Sequence, residues 1–179
     1  MIDEKDKTCL IDSNILLYAF IETKDIHKLV VLQYVVLNLL RYLRLKMFFG
    51  VITTFWRTTH KLNVVKSVIQ NKNIEITIST QVINEVCVNL IKKVSFSEEK
   101  IRKMVVSFYN KYNIIEINKE IIIKASEIRE RYNFSFWDSL IFASALYANV
   151  EILYSEDMQD GFIIDKTRIV NPFKQCSSA

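Results

Sequence analysis

The chain has 179 residues, half of them hydrophobic and a quarter charged, yet it holds only two glycines and one proline. Average usage would put Gly plus Pro at roughly 12%, and with Gly50 and Gly161 as the only glycines no Gly-rich phosphate loop of the P-loop or dinucleotide type can be built. High apolar content with a formal charge of only +4 also excludes disordered and collagen-like classes. What is left is one domain able to bury a real core, with or without an appendage.

The apolar run Thr8 to Ile11, ending at Asp12, reads as a buried strand, and Ser13 to Glu22 as a helix with Ile15, Leu16, Ala19 and Phe20 on one face. Alternation at Ile74, Ile76 and Ile78 predicts a second strand over 74–78. A helix over Thr80 to Val94 follows, capped by Ser79 or Thr80. Ser95-Phe-Ser-Glu98 matches a capping box opening a helix to about Tyr112. Ile114 to Ile117 predicts a third strand, Asn118 to Tyr132 and Ser135 to Ala148 two further helices, Val150 to Tyr154 a fourth strand and Arg168 to Val170 a short fifth. Strands separated by helices predict an α/β sandwich around a parallel sheet of four to five strands. Pro172 and the polar tail, 174–179 above all, read as frayed and disordered.

One stretch breaks the rhythm. Leu29 to Lys61 contains Arg41, Arg44, Lys46, Arg57 and Lys61 and no acidic residue, and the flanking His27-Lys28-Leu29 recurs as His60-Lys61-Leu62. Joining Lys28 to Leu62 gives a single amphipathic helix with Leu62, Val65, Val68 and Ile69 on one side. The segment 29–61 thus reads as a helical insertion into a single domain spanning 1–173, the alternative being a native helical hairpin with a chance repeat. Leu29 to Leu40 is too short to span a bilayer, which takes ~20 apolar residues, and extending it would bring Arg41, Arg44 and Lys46 to mid-membrane. No spanning helix is expected. Without 29–61 the basic total falls by five, from 24 to 19, against 20 acidic residues. The +4 charge is therefore no evidence of nucleic-acid binding by the main body. Cys9, Cys87 and Cys176 are odd in number and in no metal-ligand spacing, which fits a reducing cytoplasm.

Four acids stand where chemistry collects. Asp12 ends the first strand, where open α/β sheets bind ligands, although Asp12 or Ser13 could equally serve to cap the next helix. Glu85 lies at the edge of a stripe containing Val82, Val86 and Leu90, or is an ordinary surface acid. Asp138 sits among Phe134, Ile141 and Phe142, a costly place for an unpaired carboxylate, and it also completes a capping box with Ser135. Asp157 follows the fourth strand, with Glu156 and Asp160 as neighbouring alternatives and Ser155 as a supporting hydroxyl. No His or Cys joins this set, and an oxygen-only donor set selects Mg²⁺ or Mn²⁺ over zinc. Such ions suit phosphodiester hydrolysis.

The blocks CLIDSNILLYAF, ISTQVINEV, FSFWDSLIFASA and ILYSEDMQDG, in this order, resemble the PIN-domain ribonucleases of the VapC-like toxin group. The resemblance runs from about Thr8 to Phe173 apart from 29–61, a region normally much shorter in the family. It implies a three-layer PIN-like sandwich, a metal-dependent endoribonuclease of a toxin–antitoxin pair, frequent homodimers and a neighbouring antitoxin. By position it makes Asp12, Glu85, Asp138 and Asp157 the catalytic and metal-binding acids, supported by Ser13, Asn14 and Ser155. The competing expectation is an inactivated relic with only a protein-binding role, because 29–61 disturbs dimerisation or substrate access. A DNA-directed or flap-type nuclease is a third reading that no residue favours.

Overall fold

A computed structural model describes residues 7–20 and 48–174, with residues 48–58 and Val94 described by backbone alone. Leu29 to Leu40, Arg41, Arg44, Lys46, Cys176 and the tail 175–179 lie outside the described residues, and so does part of the predicted 29–61 insertion.

In chain order the elements are β1 (Lys7–Ile11), α1 (Ser13–Leu17) running into a 3-10 turn (Tyr18–Phe20), α2 (Phe48–Gln70), β2 (Ile74–Ser79), α3 (Thr80–Val94), α4 (Glu98–Lys111), β3 (Asn113–Ile115), α5 (Lys119–Tyr132), α6 (Phe136–Tyr147), β4 (Ile152–Tyr154), β5 (Ile163–Ile164) and β6 (Thr167–Val170). The six strands form one sheet in the order β3-β2-β1-β4-β6-β5. All neighbours are parallel except β5, which pairs antiparallel with β6. The expected parallel α/β sandwich is therefore the observed architecture, with one strand more than the sequence announces. The two-residue β5 is too short to leave a period-2 signal.

The sheet is built outward from β1. Cys9, Leu10 and Ile11 are fully buried, and β1 has a strand on either side, β2 in register at Cys9–Ile76 and β4 at Cys9–Ile152. A strand buried on both faces reads as a continuous apolar run, as CLI does. The order runs β1 to β2 to β3 on one side and resumes with β4 on the other, so the direction of winding reverses between β1 and β4. Crevices at such reversals, outside the carboxyl ends of the strands, are where open α/β sheets place ligands.

Local chemistry sets most element ends. The Ser79 hydroxyl accepts the Val82 amide to start α3, Asn118 accepts the Ile121 amide to start α5, and Ser135 accepts the Asp138 amide to start α6. The capping box expected at Ser95 is displaced: α4 begins at Glu98, capped by Ser97, whose hydroxyl accepts the Lys100 amide. Ser95 instead ends α3 in the left-handed region at φ 55°. Pro172 is buried rather than frayed, and Asn171 beside it donates its side-chain amide to the Glu156 carbonyl at 3.1 Å.

α2 is one continuous helix from Phe48 to Gln70, so the Lys61–Leu62 junction lies inside it. Leu62 and Val65 are buried and Val68 and Ile69 pack against the core, the face that the amphipathic pattern predicts. One residue before Leu62, Lys61 reaches into a cage formed by Tyr18, Glu156 and Phe173. Its ammonium forms an ion pair with Glu156, donates to the Tyr18 hydroxyl at 3.1 Å, and lies 5.2 Å from the Tyr18 ring and 5.0 Å from the Phe173 ring. Burial pushes this ammonium's pKa down, but Glu156 and Tyr18 outweigh it and the net shift is upward. A half-buried pair with cation–π support stands between the near-zero value of surface pairs and the several kcal/mol of buried ones. A double-mutant cycle with Lys61→Met and Glu156→Gln, read by urea denaturation, should return a coupling of about 1–2 kcal/mol. Strict additivity would show that the cage does not tie α2 to the loop after β4.

Candidate active site

Asp12 follows the last residue of β1, and its amide donates to the Tyr154 carbonyl of β4 at 3.0 Å, which fixes the backbone at the sheet's point of reversal. It occupies the N-cap position of α1 but makes no side-chain capping bond. Its carboxylate is engaged elsewhere. Oδ2 accepts the Ser155 hydroxyl at 2.8 Å, and Oδ1 lies 3.2 Å from the Ser13 hydroxyl. The Ser13 Oγ also contacts Glu85 Oε2 at 2.5 Å, so a single hydroxyl stands between two carboxylates and gives its one proton to the nearer. Glu85 reaches this point because α3 packs on α1. Its other oxygen, Oε1, accepts Gln81 Nε2 at 2.9 Å from one helical turn earlier.

The remaining acids divide by partner. Asp157, exposed after β4, accepts the side-chain amide of Asn14. Glu156 is taken by Lys61 and Tyr18, and Asp160 accepts the Asn171 amide at 2.8 Å. Of the three acids in this loop, Asp157 alone is turned to the Asp-Ser-Asn start of α1. Asp138 is half-buried, less enclosed than its apolar neighbours suggest, because it lies in the first turn of α6. Its Oδ2 accepts the Ser135 hydroxyl at 2.7 Å, so Ser135 serves both the cap and the carboxylate. Gln81 links the two helices that carry Glu85 and Asp138, since its Nε2 also lies 3.4 Å from the Trp137 carbonyl. The structure thus joins Asp12, Ser13, Glu85 and Ser155 in one hydrogen-bonded cluster, with Asn14–Asp157 and Ser135–Asp138 as separate pairs.

Sequence reasoning passes over Gln81, Tyr18 and Lys61. A signal exists only for Gln81, as an amide four residues before a helical Glu. It is 3% exposed, and its Oε1 is a buried acceptor with no hydrogen-bond partner.

Among the described residues no three His, Cys, Asp or Glu side chains converge as a ready-made metal cluster. The donor chemistry still suits a hard cation: two carboxylates share one hydroxyl, every candidate ligand is an oxygen, and the more buried acid is short of positive charge. Burial, with Glu85 adding to it, raises the Asp12 pKa to about 6 despite the lowering effect of Ser155 and Ser13. Cys9 has no such role. It is wholly buried in β1 and its thiol is pushed up to about 12.

A model for the PIN domain family matches residues 51–161, and the chain belongs to that family. A toxin–antitoxin complex from Klebsiella pneumoniae contains a chain of the same fold, with a TM-score of 0.53 and 20% identity over 92% of this chain and 97% of that one. VapBC2 from Rickettsia felis, bound to a DNA fragment from its promoter, gives 0.50 and 16% over 90% and 96%. No curated protein matches the chain.

The Asp12 pKa carries a stability consequence. The folded-state value, about 6, exceeds the ordinary 3.8, so the native state holds a proton that the unfolded chain releases between these limits. Ionisation of Asp12 therefore lowers stability as pH rises from 4 through 6, by roughly 2–3 kcal/mol once complete. In EDTA at pH 7, Asp12→Asn should be more stable than the parent by about that amount, and the gap should close near pH 4. Chemical denaturation at the two pH values measures it, and equal stability at pH 7 would contradict the buried charge.

Proposed function

We propose that this protein is a divalent-metal-dependent endoribonuclease and the toxin of a toxin–antitoxin pair. The observation that carries the reading is the Asp12–Ser13–Glu85 cluster at the carboxyl end of the central strand, in a chain of the PIN family. PIN domains are generally nucleases that use divalent metals, and the two solved structures described above are a toxin–antitoxin complex and VapBC2.

Asp12 and Glu85, with Asp138 and Asp157, would hold Mg²⁺ or Mn²⁺. A bound ion of this kind neutralises charge at the scissile phosphate and activates the attacking water. The chain's own groups prepare for it. Ser155 fixes one oxygen of Asp12, and Gln81 and Ser13 fix both oxygens of Glu85. Three carboxylate oxygens are then aimed by neutral donors that add no competing charge. Asn14 orients Asp157 and Ser135 orients Asp138, each through one side-chain bond that can exchange for a ligand bond. The same carboxylates repel a polyanion unless a cation intervenes, which makes cleavage depend on metal.

In the same reading the partners are RNA and a protein antitoxin, and the active form is a homodimer in the cytoplasm. Free Cys9 and Cys87 accord with that compartment. No helix among the described residues is long and apolar enough to cross a membrane.

Purified protein incubated with a labelled RNA and Mg²⁺ should cleave it, and EDTA should stop the reaction. Asp138→Asn and Asp12→Asn should each lower kcat by roughly 100-fold or more, on the scale of losing a charge-stabilising catalytic group, with circular dichroism unchanged. Full activity in Asp138→Asn would overturn its assignment to the site.

A further inference from the structure

Phe136 and Trp137 open α6 immediately before Asp138, and both are large, apolar and exposed, at 46% and 60%. From Ser139 to Ala145 the same helix is buried without a break. The two rings meet edge to face, with centroids 5.2 Å apart and planes at 82°. The backbone beneath them is anchored: the Trp137 carbonyl lies 3.4 Å from Gln81 Nε2, the same nitrogen that donates to Glu85 at 2.9 Å. One amide group thus separates the ring-bearing residue from the acidic cluster on one side, and one peptide bond separates it from Asp138 on the other.

We propose that Phe136 and Trp137 form a stacking platform for an unpaired base of the RNA substrate next to the cleaved phosphate, an inference that rests on the ribonuclease reading above. The side chains of the acidic cluster bring no positive charge of their own to hold the substrate beyond the metal-bound phosphate. The groups facing it are carboxylates, and outside residues 29–61 the chain carries 19 basic against 20 acidic residues. Stacking on an aromatic face is indifferent to the sign of the backbone charge, accepts any base, and requires that base to be out of a duplex. Two rings set at right angles present one open face and one edge, which grips a single base rather than a stacked run. The platform therefore selects single-stranded or looped RNA.

Two measurements test this. In kinetics, Trp137→Ala should raise KM for a single-stranded RNA roughly 5- to 100-fold, the range of one lost base–aromatic stack, with kcat within about threefold. Trp137→Phe should restore most of the loss. In binding, a Trp56→Phe, Asp138→Asn double variant leaves Trp137 as the sole tryptophan and little cleavage. In EDTA, which removes the remaining cleavage, its fluorescence should be quenched by a ten-nucleotide oligouridine and not by the same strand in a duplex. An unchanged KM in Trp137→Ala together with no quenching would overturn the platform. Loss of dimer or antitoxin binding in that variant, with KM unaltered, would overturn it in favour of a protein-docking role. If the unmodified protein cleaves no RNA, the ribonuclease reading fails by itself, and the quenching experiment still decides whether the rings take a base.

Discussion

The interaction on which the rest depends is the burial of one carboxylate at the end of the central strand. Asp12 is 7% exposed, following a strand flanked on both sides, by β2 and by β4, and its own amide is bonded to the Tyr154 carbonyl. An ionised carboxylate in that position must be stabilised by neighbouring dipoles or by a cation. The chain supplies one such dipole in the hydroxyl of Ser155, the residue that follows β4, while the Ser13 hydroxyl is shared with Glu85. The remaining deficit is what a metal ion would relieve, and it is kept at a cost in the stability of the protein alone, as functional sites commonly are.

The loop after β4 shows how close acids are kept apart in role. Ser155, Glu156, Asp157 and Asp160 lie within six residues, yet each meets a different partner: Asp12, Lys61, Asn14 and the Asn171 amide. Glu156 and Asp160 act as fasteners, one to α2 and one to the chain leading out of β6. Asp157 is thereby held between two anchored points. The Lys61 cage makes α2 part of this arrangement, so a helix that begins within the basic 29–61 stretch steadies the loop that carries the fourth acid.

Much of this is legible in the sequence, for reasons that differ from residue to residue. CLI followed by Asp12 announces a doubly buried strand ending at an acid, and Ser79, Asn118 and Ser135 announce helix starts because capping is a local interaction between residues three apart. The same locality misleads at Ser95: two serines lie before Glu98, and which one caps is decided by how α3 ends. The left-handed turns also escape a search for glycine. Ser95, Asn133, Asn149 and Asp165 occupy that region in place of glycine, and only Gly161 does so without a side chain. Non-local contacts leave no pattern at all. Nothing in the string places Lys61 beside Glu156 or shows that the acids of the last loop would be divided as they are, since those choices are made by packing. Glu85 could be read as a surface acid until α3 is laid against α1 and Ser13 is found between the two carboxylates.

The bonds that complete the site are among the longest in the chain when measured along the sequence. Ser155 to Asp12 and Asn14 to Asp157 each close over 143 residues, and β1 cannot acquire its second neighbour until β4 exists. On a ribosome adding ~5–20 residues per second, roughly 7–30 s pass between synthesis of Asp12 and of Ser155. Throughout that interval the nascent polypeptide carries its acids unassembled, beside the very message and ribosomal RNA that surround it. The topology thus delays assembly of the acidic cluster until β4 has been made, a timing set by strand order alone.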